Sequence, residues 1–261
     1  MQDFILHKNI KISFSTVGKG STVVLLHGFL ENATMWDAVS EVLSKSNRVV
    51  SIDLLGHGQT ECLGYVHTME MMAEAVAAVL KHLRIRKSVF IGHSMGGYVA
   101  LAYAEKYPDN VKGLCLMNST AKADSNERVA LRAKAIEAVK TQYKSLVRLS
   151  MVHLFRPKNR TLFKEEIKAV KAAALATPLQ GYIAAQEGMK IRRDREVLLH
   201  FSPYKKLMIV GKKDPVLSYD DILNEIKGTD VALVEFPDGH MSHIENKDDL
   251  IIHLHQFVKN C

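Results

Sequence analysis

The sequence predicts an α/β protein, a mostly parallel sheet wrapped by helices and interrupted once by a helical insertion. Short β-branched runs alternate with longer stretches of helical period, the pattern of crossover units on a parallel sheet. Residues 121–200 break that alternation, since Ala, Lys, Arg and Leu dominate there and the β-branched runs vanish. The alternation then resumes and continues to the last predicted helix.

In chain order, residues 4–7 and Ile10–Val17 read as an N-terminal hairpin turning near Lys8-Asn9. The apolar run Thr22–Leu26 is the next strand, followed by a helix over 35–44, the strand Arg48–Ile52 and a helix over 69–83. Residues 88–91 form a strand and 95–107 a helix, which Pro108 ends because proline lacks an amide hydrogen and restricts the residue before it. Val111–Met117 closes the first half. In the insertion, Pro157 and Pro178 divide the chain into short helices. The second half contributes strands over 206–210 and 231–236 and helices over 219–226 and 247–258. This divides the chain into a core, 1–120 with 200–261, and a helical cap, 121–199.

Hydrophobic residues make up 47% and charged residues 24%, values of an ordinary soluble protein that favour neither disorder nor a membrane class. The opening residues lack the basic region, apolar run and cleavage site of a secretory signal, and no apolar stretch approaches the roughly 20 residues that span a bilayer. Cys62, Cys115 and Cys261 are odd in number and widely spaced, so a reducing cytoplasm is the expected setting. The net charge of +7 is lopsided, because residues 121–200 hold 17 Lys and Arg against 8 Asp and Glu. Without interleaved aromatics and a recognition motif, nucleic acid is not an expected partner; the basic segment reads either as a solvated helical face or as a cap that attracts an anionic acyl substrate.

The chemistry centres on Gly92-His93-Ser94-Met95-Gly96-Gly97, directly after an apolar strand and before a helical run. A serine hydroxyl is a poor nucleophile at neutral pH and must be presented at a sharp turn where a base can reach it; Gly92 and Gly96 permit that turn. In such strand–turn–helix sites the groups follow the chain order serine, acid, histidine. His240, in Pro237-Asp238-Gly239-His240, follows the last predicted strand and is the expected base, with His243 as competitor three residues further on. Asp214, in Gly211-Lys212-Lys213-Asp214-Pro215, is the expected orienting carboxylate, whereas Asp238 stands too near His240 in sequence to reach around its ring.

The oxyanion of acyl transfer needs two backbone donors, and the amides of Phe29 and Met95 are the candidates. His27 is expected to hold its loop. In Asp53-Leu54-Leu55-Gly56-His57-Gly58, Asp53 is expected to bond loop amides and Gly56 and Gly58 to adopt unusual dihedrals. No histidine cluster has metal-ligand spacing, so no metal is expected.

With His27-Gly28-Phe29, Asp53-Leu54-Leu55-Gly56-His57-Gly58-Gln59-Thr60, Gly92 to Gly97, Lys212-Lys213-Asp214-Pro215 and Gly239-His240, the chain resembles the α/β-hydrolase superfamily, in particular its capped serine-esterase branch. Leu55 departs from the proline usual in that turn. The resemblance implies an eight-stranded, mostly parallel sheet, a helical lid after the sixth strand, a serine triad and no cofactor. It implies a serine hydrolase that cleaves carboxylic esters of small molecules through an acyl-enzyme. Two other readings stay open: a carbon–carbon bond hydrolase or a lyase like that of the menaquinone pathway, acting on an anionic metabolite, and a ligand-binding relative without turnover.

Overall fold

The computed structural model of the chain describes residues 2–261. Its strands are β1 (Gln2–His7), β2 (Ile10–Val17), β3 (Thr22–Leu26), β4 (Arg48–Ile52), β5 (Ser88–His93), β6 (Val111–Met117), β7 (Lys205–Gly211) and β8 (Ala232–Phe236). They form one sheet in the order β1-β2-β4-β3-β5-β6-β7-β8. β1 and β2 make the expected hairpin, and Lys8 and Asn9 at its turn have φ of 49° and 66°, the positive values that let a two-residue turn follow strand twist. β2 pairs antiparallel with β4, and every later pairing is parallel. β3 and β5 are buried at every position, as parallel strands covered on both faces must be.

Helices α1 (Asp37–Leu43), α2 (Met69–His82) and α3 (Met95–Lys106) supply the early crossovers. The helix expected over 35–44 is split, with a 3-10 turn over Ala33–Trp36 before α1. α2 and α3 cover one face of the sheet, where Val76, Val79 and Leu101 join Val24 and Phe90. On the other face Trp36 and Leu43 join Leu250 and Leu254 over Val23 and Ile91.

Between β6 and β7 lie α4 (Asn126–His153), α5 (Lys164–Leu175), α6 (Leu179–Lys190) and α7 (Glu196–Phe201). Over the 28 residues of α4 the helix is kinked at Gln142, where φ is −128° and ψ 35°, so the span consists of two shorter helical runs. Its sequence contains no proline or glycine, so the division falls where no breaker residue stands. The inserted helices close over their own core, in which Val139, Val147, Met151 and Tyr182 meet Leu30 of the sheet's rim. α6 lies tight against the core, because Gly188 has no Cβ to overlap the His67 carbonyl and the His67 amide donates to Ala184 O at 2.8 Å.

The insertion leaves and rejoins the sheet at one place. The Arg195 amide donates to Ala121 O at 2.8 Å, Arg192 Nε donates to Lys122 O at 3.0 Å, and Asp124 is paired with both Arg132 and Arg192. After β7 come α8 (Tyr219–Glu225), the four-residue α9 (Ser242–Glu245), which the sequence reading missed, and α10 (Lys247–Asn260). The loops after β3, β5, β6, β7 and β8 all leave the C-terminal edge of the parallel strands, where open α/β sheets hold their ligands.

Candidate active site

Ser94 joins β5 to α3 with φ 49° and ψ −114°, a left-handed conformation that side chains other than glycine's rarely adopt. The neighbours explain how it is tolerated. A Cβ on Gly92 would strike the backbone of Gly96 and Gly97, and one on Gly96 would strike the Leu26 carbonyl. The turn is fixed further by the Ser94 amide donating to Met117 O at 2.9 Å and by Ser119 Oγ donating to Ser94 O at 2.8 Å. Ser94 lines a cavity of about 310 Å³ whose wall also holds His240 and Phe29. Among the described residues no hydrogen bond joins Ser94 Oγ to another group; such contacts commonly tighten only when substrate is bound.

His240 sits in the loop after β8, its amide donating to Leu154 O at 2.9 Å. Its Nδ1–H donates to Asp214 Oδ2 at 2.7 Å, the tautomer that leaves Nε2 as an acceptor. Asp214 is completely surrounded by donors. Oδ1 accepts the amides of Val216 at 2.7 Å and Leu217 at 3.1 Å, and Oδ2 also accepts Asn118 Nδ2 at 3.0 Å. Burial alone would raise this carboxyl, but the His240 ring and the converging donors hold it below its ordinary value. Asn118 in turn donates to Gly239 O at 3.3 Å and accepts Ser242 Oγ at 2.7 Å, so one amide ties Asp214 to the loop that bears His240.

The structure thus brings Ser94, His240, Asp214 and Phe29 together from four separate loops. Met95 opens α3 directly after Ser94. Among the described residues no acceptor is bonded to the backbone N–H of either Phe29 or Met95. Asp238 instead pairs with Arg156 at 3.0 Å. His27 holds its loop, with Nδ1–H donating to Gly28 O at 2.7 Å and Nε2 accepting the Leu54 amide at 2.9 Å. Asp53 accepts the amides of Ala33 and Gln59, and Gly56 and Gly58 take positive φ, while Leu55 is fully buried.

Sequence reasoning missed a second constellation, Glu31, His93 and His243, lying beside the first. His93 Nδ1–H donates to Glu31 Oε2 at 2.6 Å and its Nε2–H donates to the His240 carbonyl at 3.0 Å. Both ring nitrogens face oxygen acceptors, so both carry protons and the ring is a buried imidazolium compensated by Glu31. Burial would lower the His93 pKa, but the Glu31 carboxylate outweighs it and the pKa is raised. Glu31 is driven up by burial and down more strongly by His93, to about 2. Glu31 Oε2 also accepts the Gly28 amide at 2.7 Å, so one ion pair anchors both the loop leading to Phe29 and the loop bearing His240.

His243, the rival base, is pushed by burial down to about 4 and sits with Nε2 3.8 Å from Glu31 Oε1. Ligand atoms of the three residues lie within 4.8 Å of one another, yet the 2.6 Å between His93 and Glu31 is a hydrogen-bond distance. Two tetrahedral zinc ligands would stand about 3.3 Å apart, so the cluster fits an ion pair better than a metal.

Glu31→Gln is expected to lower stability by about 3 kcal/mol, the usual cost of removing one partner of a buried pair, which is roughly 5–10 °C in Tm. The pH dependence has a definite sign. The Glu31 contribution is full above its ordinary 4.5 and is lost as pH falls towards 2, and the His93 contribution is full below 6.5 and is lost as pH rises through its raised value. Calorimetry across pH should therefore find the gap between wild type and variant widest between about 4.5 and 6.5; a gap independent of pH would reject the ion pair.

The chain matches the α/β hydrolase fold family over residues 21–247 and belongs to it. Among curated relatives, it is similar to the pimeloyl-[acyl-carrier protein] methyl ester esterase of Aliivibrio salmonicida, 27% identical over 256 residues that cover 94% of this chain and 95% of that one. Among solved structures, a thermophilic esterase from Thermogutta terrifontis with malate bound superposes with a TM-score of 0.91 at 29% identity, covering 100% of this chain and 98% of that one. The enol-lactonase of Burkholderia xenovorans, at 21% identity and a TM-score of 0.90 over 98% and 100% of the two chains, shares the fold. No helix among the described residues is long and apolar enough to cross a membrane.

Proposed function

We propose that the chain is a serine hydrolase that cleaves carboxylic esters of small molecules through an acyl-enzyme. Ser94 Oγ attacks the ester carbonyl while His240 Nε2 takes its proton. Asp214 holds the imidazole in the accepting tautomer and stabilises the imidazolium that forms. The amides of Phe29 and Met95 receive the oxyanion, with no reorganisation needed at the moment of reaction. His240 returns the proton to the leaving alcohol, and water, activated by the same ring, then frees the acid and regenerates Ser94. Residues 121–199 are the cap that encloses the acyl and alcohol groups, and the three free cysteines suit a reducing cytoplasm.

The observation that carries this reading is the hydrogen bond between Asp214 and His240, a ring that shares one cavity wall with the strained Ser94. A carbon–carbon hydrolase or lyase would use the same groups. Ester cleavage is preferred because esterase relatives span the chain nearly end to end.

The test is covalent labelling. A fluorophosphonate probe is expected to give one adduct, mapped by peptide mass spectrometry to Ser94, and a p-nitrophenyl ester is expected to release product in a burst of about one equivalent when deacylation is slow. An unlabelled Ser94 would favour the ligand-binding reading. Labelling combined with turnover of anionic diketones or enol acids, but of no ester, would favour the carbon–carbon or lyase reading.

A further inference from the structure

The insertion is rich in arginine, and its arginines can be sorted by what neutralises them. Arg132 donates from Nε to Asp124 at 2.5 Å and from Nη1 to Gln186 at 2.9 Å. Arg192 is bound to the same Asp124 and lies over the Tyr98 ring, 4.1 Å from its centroid. Arg195 is buried between Glu70 at 2.6 Å and Glu105 at 2.9 Å. Arg156 is paired with Asp238.

Arg128 differs from all of these. It stands in the first turn of α4 on the wall of the Ser94 cavity, and among the described residues no carboxylate comes within 4.0 Å of it. Its one side-chain hydrogen bond runs from Nη1 to the Val216 carbonyl at 3.2 Å. Val216 lies two residues past Asp214 and donates its own amide to that carboxylate, so Arg128 is held on the same loop as the acid that orients His240. The acid on the cavity wall, Glu31, is already compensated by His93. The cavity therefore holds one guanidinium with most of its planar fork unused, a geometry matched to a carboxylate.

We propose that the cavity takes esters carrying a second, anionic carboxylate group on one side of the scissile bond, and that Arg128 receives that group. The inference rests on the ester-hydrolase reading and narrows it to half-esters and their relatives. Arg132 stands beside it with its donors already engaged by Asp124, which it shares with Arg192, and by Gln186, so Arg128 presents the freer fork on that wall.

The experiment uses two matched pairs of substrates. On the acyl side, the p-nitrophenyl half-ester of glutarate is compared with p-nitrophenyl pentanoate; on the alcohol side, 4-acetoxybenzoate is compared with 4-tolyl acetate. In the wild type, one pair is expected to show the charged ester favoured in kcat/KM by about tenfold or more, and Arg128→Gln to reduce that ratio by about 10–100-fold, chiefly through KM. Arg128→Lys should restore part of the preference, since it keeps the charge but loses the fork. Ratios that Arg128→Gln leaves unchanged in both pairs, in a variant with wild-type Tm, would overturn the proposal. Should the wild type turn over no ester at all, the hydrolase reading fails separately. Calorimetric titration with glutarate then decides the anion site: binding lost in Arg128→Gln supports it, and equal or absent binding in wild type and variant overturns it.

Discussion

Ser94→Ala is expected to lower kcat on a short p-nitrophenyl ester by about 10⁶, because in the proposed mechanism nucleophile and base act as a unit and the remaining groups cannot supply an acyl-enzyme. Tm should change little. Alanine keeps the Cβ and therefore the strained backbone at φ 49°, and the hydroxyl it removes has no hydrogen bond to lose among the described residues. A residue of catalysis above the water reaction, about 10³–10⁴-fold, should survive if the Phe29 and Met95 amides bind the oxyanion independently. Steady-state kinetics and calorimetry on one preparation check both halves. Activity within an order of magnitude of wild type would remove Ser94 from the chemistry.

Asp214→Asn is expected to lower kcat by about 10⁴, and the surroundings of Asp214 explain why an isosteric change does so much. Oδ1 faces two backbone amides, which can only donate, so an asparagine must place its carbonyl oxygen there. Its NH₂ group is then turned towards His240 Nδ1 and the Asn118 amide. His240 has to accept at Nδ1 and carry its proton on Nε2, which is the wrong tautomer for a base. Stability should follow pH in a defined way. The Asp214 contribution is present above its ordinary 3.8 and is lost as pH falls through its lowered value, so the stability deficit of the variant should shrink in acid. A variant that retains near wild-type kcat would show that another group orients the imidazole.

Much of this architecture is written locally. Strands such as Thr22–Leu26 and Arg48–Ile52 announce themselves as β-branched runs, and the turn at Ser94 is flanked by the glycines it needs, so motif and dihedral agree. What was not legible depends on distant partners. Glu31 and His93 are 62 residues apart, and Asn118 and Ser242 are 124 apart; no spacing rule links residues that meet only after the sheet has formed. His93 occupies a variable position of the serine motif, where nothing marks it as charged. The kink at Gln142 inside α4 has no proline or glycine to mark it, whereas Pro157 and Pro178 mark the divisions further on. The charge of the insertion was visible as a total. That Arg128 is the arginine of the cavity wall without a carboxylate could be decided only from the pairs formed around it, above all that of Asp124 with Arg132.

The clasp formed by Ala121, Lys122 and Asp124 with Arg192 and Arg195 has a consequence for how this protein can diversify. A polypeptide loop whose two ends are already fastened adds little closure entropy when lengthened, since that cost grows only with the logarithm of its size. Strands β6 and β7, which the clasp joins, pair in parallel from Gly113 with Lys205 to Met117 with Ile209. Descendants can therefore rebuild much of the detour, trading one preferred molecule for another, provided that Leu154 and Arg156 keep their bonds to the loop of His240.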